Sequence, residues 1–224
     1  MDSEKLASRA ELLFENGKKK HEQRQEEEAL VLINQALDIY RQILDKDGEM
    51  AALNHLAVVY RTINNFEKSV EIYATLLQLF EDVNDVEAQG RVLNNIGLIR
   101  ARDGSYENAL KNFHRALALF RSIGNDNGVA EQLGNIGAVY RDLKEYDKAL
   151  DGCHDALKVY QKIHHLSGIG DQHSNIGYLH AMRDDFITAL EWYKKAVFFY
   201  DQADEKNKAD MTRRNIESIE KKLI

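Results

Sequence analysis

Not one of the 224 residues is proline, although ordinary usage would supply about 11. A chain without proline gives up no backbone N–H and meets no ring clash, so helix can follow helix unbroken. Cysteine is nearly as scarce. Cys153 stands alone and cannot close a disulfide within the chain, so nothing points to an oxidising compartment. Long apolar runs are missing too: none comes near the ~18 residues of a membrane span, and the opening Met1-Asp2-Ser3-Glu4 is too polar for a signal peptide. A cytoplasmic location is the expectation. The formal charge of −7 disfavours nucleic acid or an acidic membrane as a general partner, while leaving room for a locally basic groove.

What is present is 44% hydrophobic and 30% charged residues, a balance that suits many amphipathic elements, each hiding one face. Their arrangement is periodic. Leu93-Asn94-Asn95-Ile96-Gly97 returns forty residues on as Leu133-Gly134-Asn135-Ile136-Gly137, and again as His173-Ser174-Asn175-Ile176-Gly177. In the other direction the same step lands on Leu53-Asn54-His55-Leu56-Ala57 and then on Gly17. A fixed period of this size marks stacked supersecondary units, none of which can bury its apolar face alone.

From Ser3 to about Glu22, Leu6, Ala10, Leu13 and Gly17 fall at helical spacing and predict a first helix. The charge run from Lys18 to Glu28 reads as a solvated turn, with a binding tail as the competing assignment. A second helix with Ala29, Ile33, Ala36, Leu37 and Tyr40 inside is expected to end at Asp47-Gly48. Helical pairs then follow near 49–63 with 66–83, 87–103 with 106–123, 127–143 with 146–163, and 168–183 with 186–203. Turns of only a few residues force antiparallel neighbours. A last helix, about 206–223, is expected to pack Met211, Ile216, Ile219 and Leu223 inward. Its Arg213, Glu217, Glu220, Lys221 and Lys222 would form a polar outer face.

Each of the cleaner second helices opens on an aromatic, at Phe66, Tyr106, Tyr146 and Phe186, and three residues later carries a small one, at Ser69, Ala109, Ala149 and Ala189. Closing aromatics run Tyr40, Phe80, Phe120, Tyr160 and Tyr200. Glycine inside a helix costs about 1 kcal/mol relative to alanine, so its return at one phase demands a reason. A close approach of the two helices is that reason, Gly97 meeting Ala109 in the expected packing.

These residues resemble the tetratricopeptide repeat: a Leu-x-x-Ile/Leu-Gly/Ala core on the first helix, then Tyr/Phe-x-x-Ala-Leu and a later Ala-Leu on the second. The match is specific over 49–203 and weaker over 9–48, where Glu26 replaces the opening aromatic. The period is longer than the common form of about 34 residues. It is similar to the long-helix versions found in kinesin light chains and in the Leu-Gly-Asn repeat adaptors. The resemblance implies an all-α, right-handed α-solenoid of about five antiparallel helix pairs plus a C-terminal capping helix. As one domain over 1–224, it would comprise a degenerate first repeat at 3–48, repeats at 49–86, 87–126, 127–166 and 167–205, and a capping helix at 206–224.

The resemblance also implies that the first helices line a concave wall. The candidates on that wall are Asn54, His55 and Arg61; Arg91, Asn94, Asn95, Leu98 and Arg102; Asn135 and Arg141; Asn175 and Tyr178; and Arg214 and Asn215. Asparagines at 95, 135, 175 and 215 recur once per unit. An asparagine amide both donates and accepts, so a row of them can pair with an extended backbone whatever its sequence. In the resembling adaptors, asparagines at matching positions contact bound peptide in this way; the competing role is a hydrogen bond within the scaffold. Arginine forks suit carboxylates and favour a partly acidic segment, with pairing to nearby surface acids such as Glu131, Asp142 and Asp171 as the alternative. A chaperone tail is not the expected ligand, because the lysine positions of the carboxylate clamp hold Phe14, Asn54, Asn94, Gly134 and Ser174.

Chemistry is poorly represented. His164, His165 and His173 lack the paired spacing of metal ligands. Cys153 shares its phase with Ile33, Tyr73, Phe113 and Tyr193 and is expected to be buried. Gly168-Ile169-Gly170 is expected in a turn with no preceding strand, so it is not a phosphate loop. The chain is therefore expected to be a non-enzymatic adaptor, without cofactor or metal and monomeric, holding an extended, partly acidic peptide of another protein in its concave groove. The alternative is a self-assembling scaffold whose exposed terminal repeats, with Leu6, Leu12 and Phe14, dock onto another copy.

Overall fold

The structure is a computed structural model that describes residues 3–223; Met1, Asp2 and Ile224 lie outside the described residues. Among the described residues it is all-helical, with eleven helices and no strand. In order they are α1 (Ser3–Glu22), α2 (Glu26–Gln42), α3 (Lys46–Thr62), α4 (Phe66–Asp82), α5 (Val86–Arg102), α6 (Tyr106–Ser122), α7 (Asp126–Asp142), α8 (Tyr146–Lys162), α9 (Leu166–Ala181), α10 (Phe186–Gln202) and α11 (Lys206–Leu223). The all-α class of paired helices read from the sequence is the class observed.

The turns repeat at half the sequence period. Arg24, Leu44, Asn64, Asn84, Gly104, Gly124, Lys144, His164, Asp184 and Asp204 stand twenty residues apart, and all have positive φ. The turn after α2 shows the geometry: Leu44 N–H donates to the Arg41 carbonyl at 3.2 Å and Asp45 N–H to the Tyr40 carbonyl at 2.9 Å. These two bonds close the helix end in a Schellman motif, satisfying carbonyls that would otherwise lack partners. Asp45 then opens α3, its side chain accepting from Gly48 N–H at 2.9 Å. Asn65, Asp85, Asn125, His165 and Asp185 cap α4, α5, α7, α9 and α10 in the same way.

This geometry corrects four expectations. Asp47 and Gly48 do not end α2; they form the first turn of α3, because Asp45 caps it. The charge run from Lys18 to Glu28 is mostly helical, with only Gln23–Gln25 between α1 and α2. Gly168, Ile169 and Gly170 lie in the first turns of α9, which His165 caps through Nδ1. On α11, Ile219 is buried and Ile216 half-buried, whereas Met211 and Leu223 are exposed.

The chain divides into two compact units, Met1–Asp103 and Gly104–Ile224. In the first, consecutive helices from α1 to α5 pack on one another and α1 also touches α3. Ile33, Tyr40, Leu53, Leu56, Tyr73 and Leu76 form its core. Leu6 is buried and Phe14 half-buried against Tyr40 and His55, so of the three residues expected to be exposed only Leu12 is. In the second unit consecutive helices from α6 to α11 pack likewise. A Cβ on Gly137 would stand 3.1 Å from the Ala149 carbonyl oxygen, and one on Gly177 3.2 Å from that of Ala189, so close helix approach does account for both glycines. Cys153 is buried beside Gly137, which pushes its thiol up to about 12. The last helix is tied down by Lys208, whose Nζ donates to both Asp171 oxygens at 2.9 and 3.0 Å and to Ser167 Oγ at 3.1 Å.

Candidate functional site

In the first unit, residues from three helices meet around one open cleft of about 420 Å³. Asp47, Met50, Ala51 and Asn54 come from α3; Phe80 from the end of α4; Ala88, Arg91, Val92 and Asn95 from α5. The floor is apolar, with Ala88 and Val92 buried and Met50 and Phe80 half-buried. The rim is polar, with Asn54 and Arg91 exposed and Asn95 half-exposed. Arg91 Nη1 bonds to Glu87 Oε1 at 2.6 Å, one turn back on an exposed face. Such surface pairs contribute about 0–1 kcal/mol, so another carboxylate can compete for the guanidinium. Asn54, Arg91 and Asn95 are thus brought together, and Asp47, Met50 and Phe80 join them unanticipated. The missed signal was the cap: Asp45, twenty residues before Asn65 and forty before Asp85, starts α3 early enough to carry Asp47 into the cleft.

The other candidates of this unit have different surroundings. His55 sits at the phase of the asparagine row but is half-buried, its ring centre 6.0 Å from that of Phe14 and 5.3 Å from that of His21, both in T-shaped contact. Its Nε2 is buried without a hydrogen bond. Burial, and then the charges of His21 and Lys18, lower its pKa below the usual histidine value. Asn94 is buried, and Leu98 is exposed. Arg102 donates to Asn64 Oδ1 at 3.1 Å and lies 5.3 Å over the Phe66 ring, a framework contact that occupies it. Arg61 is half-buried.

In the second unit, α7 and α9 enclose a slot of about 10 Å³ lined by Gly137, Ala138, Arg141, Asn175, Tyr178 and Leu179, with Cys153 of α8 beside them. That volume holds about one water or methyl group. Arg141 Nε donates to Asp142 Oδ1 at 2.9 Å, and its guanidinium stands 5.9 Å over the exposed Tyr178 ring. Asn135 is half-buried on α7, whereas Arg214 and Asn215 on α11 are exposed. Among the described residues, neither Asn95 nor Asn175 hydrogen-bonds to the protein, which leaves both amides able to donate and accept.

Burial also reshapes the joint around His173. Its ring stacks 5.3 Å from Phe199 and 5.1 Å from Trp192, its Nδ1 has no partner, and its pKa is pushed down to about 4, chiefly by loss of solvent. Asp171 serves the Lys208 network and accepts from the Tyr200 hydroxyl at 2.9 Å. Among the described residues no group of three or more histidine, cysteine, aspartate or glutamate side chains could hold a metal ion. No helix among them is long and apolar enough to cross a membrane.

The family model described as tetratricopeptide repeat matches residues 9–82 and 89–151. No curated protein matches the chain in sequence. Among solved structures, the apo form of RapI is similar with a TM-score of 0.81 and 20% identity, over 91% of this chain and 57% of RapI. A Rap protein complexed with Competence and Sporulation Factor is similar at 0.63 and 18%, over 97% of this chain and 65% of that one. A putative kinesin light chain of Podosopora anserina with nearly identical TPR-like repeats is similar at 0.70 and 12%, over 88% and 97%. The chain therefore spans little more than half the length of RapI, and at these identities the likeness is one of fold.

Proposed function

The chain belongs to the tetratricopeptide repeat family, and from that membership we propose that it is a non-enzymatic adaptor that binds an extended, partly acidic segment of another protein along its first helices. The observation that carries the reading is the state of Asn95 and Asn175: two amides of the repeated row, on α5 and α9, unbonded within the protein and bordering hollows. An extended backbone offers an N–H and a C=O at each residue, the complement of such an amide. In the first unit the apolar floor of Met50, Phe80 and Val92 would take one bulky side chain, and Arg91 beside it a carboxylate. The solved Rap protein complexed with Competence and Sporulation Factor supports the reading as a structure of similar fold that holds such a factor.

The test uses a display library of random dodecapeptides. Wild-type protein should recover peptides with an acidic residue near a bulky apolar one, and the variant Asn95→Ala, Asn135→Ala, Asn175→Ala should lose them while keeping its helicity and melting temperature. Peptides retained by the triple variant would sink the amide-row assignment.

One observation favours the self-assembling alternative. Leu12 is 62% exposed at the phase where Ala52, Val92, Gln132, Gln172 and Thr212 are buried. Light scattering at high concentration decides it: a mass of 25.7 kDa removes this reading, and twice that mass supports it.

A further inference from the structure

Three of the opening aromatics of the second helices lie under a cation from the end of the first helix that follows. Arg102 stands 5.3 Å over Phe66, Arg183 5.7 Å over Tyr146 and Lys222 5.2 Å over Phe186. On α2 the aromatic is missing. Glu26 takes its position and pairs with the His21 ring of α1, and the residues at the phase of those cations are Thr62 and Ile63. A hollow of about 540 Å³ opens there, with the half-buried Leu30 and the exposed Ile63 as its apolar walls. Glu26, Glu27 and Glu28 outnumber Arg24 around it, so its rim is acidic. Lys20 pairs with Glu28 at 2.6 Å, whereas among the described residues Glu27 pairs with no cation. Val31 continues the apolar surface one turn on: it is 57% exposed at the phase where the other second helices carry Glu71, Lys111, Asp151 and Glu191.

Helix α10 is the reverse case, a ring without a site. Phe198 is 55% exposed, at the phase where Asp38, Gln78, Ala118 and Lys158 face solvent. One turn before it on the same face stand Lys194 and Lys195. Lys195 lies 4.4 Å over the Trp192 ring, and among the described residues Lys194 pairs with no acid. One turn after it, Asp201 is taken by Arg213 at 2.7 Å. The surface around Phe198 is therefore basic.

We propose that Phe198 of one copy of this chain enters the hollow beside Glu26 of a second copy, with Lys194 and Lys195 facing Glu27 and Glu28. An aromatic ring is the group that this place in the repeat holds elsewhere, and burying one contributes more to a contact than most side chains do. The two surfaces carry opposite charge, which sets their register and keeps each from pairing with its own kind. Because the contact joins unlike surfaces, pairs either close on themselves or grow. It goes beyond the adaptor reading, uses none of the residues assigned to the peptide, and differs from the Leu12 contact of the alternative.

Sedimentation velocity of the whole chain over a range of concentrations, at low and high salt, tests the contact. Wild type should gain mass above 25.7 kDa as concentration rises, and high salt should weaken the gain. Phe198→Ser should weaken association about tenfold or more, as loss of a buried aromatic anchor does, while Leu12→Ser leaves it unchanged. Glu27→Lys and Lys194→Glu should each weaken association alone. An equimolar mixture of the two should restore it, because residues 27 and 194 then carry opposite charges across every mixed contact. Circular dichroism should show all four variants as helical as wild type. Wild type at 25.7 kDa throughout, association that ignores Phe198→Ser, or a mixture no stronger than its components overturns the inference and leaves the adaptor reading standing. Association lost with Leu12→Ser and kept with Phe198→Ser also overturns it, in favour of the terminal contact.

Discussion

The hydroxyl of Ser69 on α4 donates to the carbonyl oxygen of Ala57 on α3 across 2.7 Å, and both residues are wholly buried. At this phase the pairs of the second unit place glycine against alanine, Gly137 with Ala149 and Gly177 with Ala189. Here alanine meets serine, and a side-chain hydrogen bond joins the helices. Ser69→Ala should cost about 1 kcal/mol, the usual worth of a neutral hydrogen bond. In a chain of this size that lowers the melting temperature by about 2–4 °C. An unchanged melting curve would show that the bond contributes nothing net.

In the second unit α7 and α8 meet glycine to glycine. A Cβ on Gly152 would stand 2.9 Å from Gly137 Cα, 3.0 Å from its N and 3.1 Å from the Leu133 carbonyl oxygen. All three are backbone atoms and cannot swing aside. Gly152→Ala should therefore destabilise by about 1–3 kcal/mol through overpacking, against the gain of roughly 1 kcal/mol in helix propensity. Urea denaturation checks the sign: a higher midpoint than wild type would mean that α7 and α8 can separate freely.

Turn chemistry makes a paired prediction. Leu44 holds φ at 58° and is 79% exposed, so it carries left-handed strain with little packing in return. Leu44→Gly should stabilise the protein by about 0.5–1 kcal/mol, the relief of strain exceeding the added freedom of the unfolded chain. Gly104 stands at the same phase, with φ at 81° and no atom within 4 Å of where a Cβ would lie, so Gly104→Ala should destabilise by about 1 kcal/mol through the backbone alone. Thermal melts of the two variants should move in opposite directions.

The buried imidazole of His173 makes stability depend on pH. Unfolded, it takes a proton near 6.5; folded, it stays neutral down to about 4. Between those values the unfolded state binds more protons, so stability rises with pH through that window and is lost as pH falls. The melting temperature of His173→Phe should therefore fall less steeply than that of wild type from pH 6.5 to pH 4. His55 and His154, also lowered chiefly by burial, contribute in the same sense to both proteins. Parallel curves would place the His173 ring in contact with water.

Much of this architecture is legible as a period. Leu-x-x-Ile-Gly at forty-residue intervals and the aromatics at both ends of the second helices locate the buried faces, because a helix face follows from local spacing alone. The turns are less legible. Gly104 and Gly124, and less strongly Asn64 and Asn84, advertise a left-handed residue, whereas Leu44 and Lys144 adopt it because two backbone bonds per turn hold them there. That concealed half-period is why Asp47 and Gly48 read as an end rather than a beginning. His165 reads as one of three clustered histidines and is a helix cap.

By itself the sequence determined the helices, their pairing and the phase at which polar side chains recur, since each depends on neighbours within a few turns or one repeat. Only the tertiary structure decided which of those side chains stay open. His55 and Asn95 share a phase, yet Phe14 and His21 pack against one while the other borders a cleft. Gln172 is closed off, its carboxamide filling the space beside Gly134 of α7. Exposure is set by what a neighbouring helix presents at close range, and that is a property of the packed pair rather than of either strip of sequence.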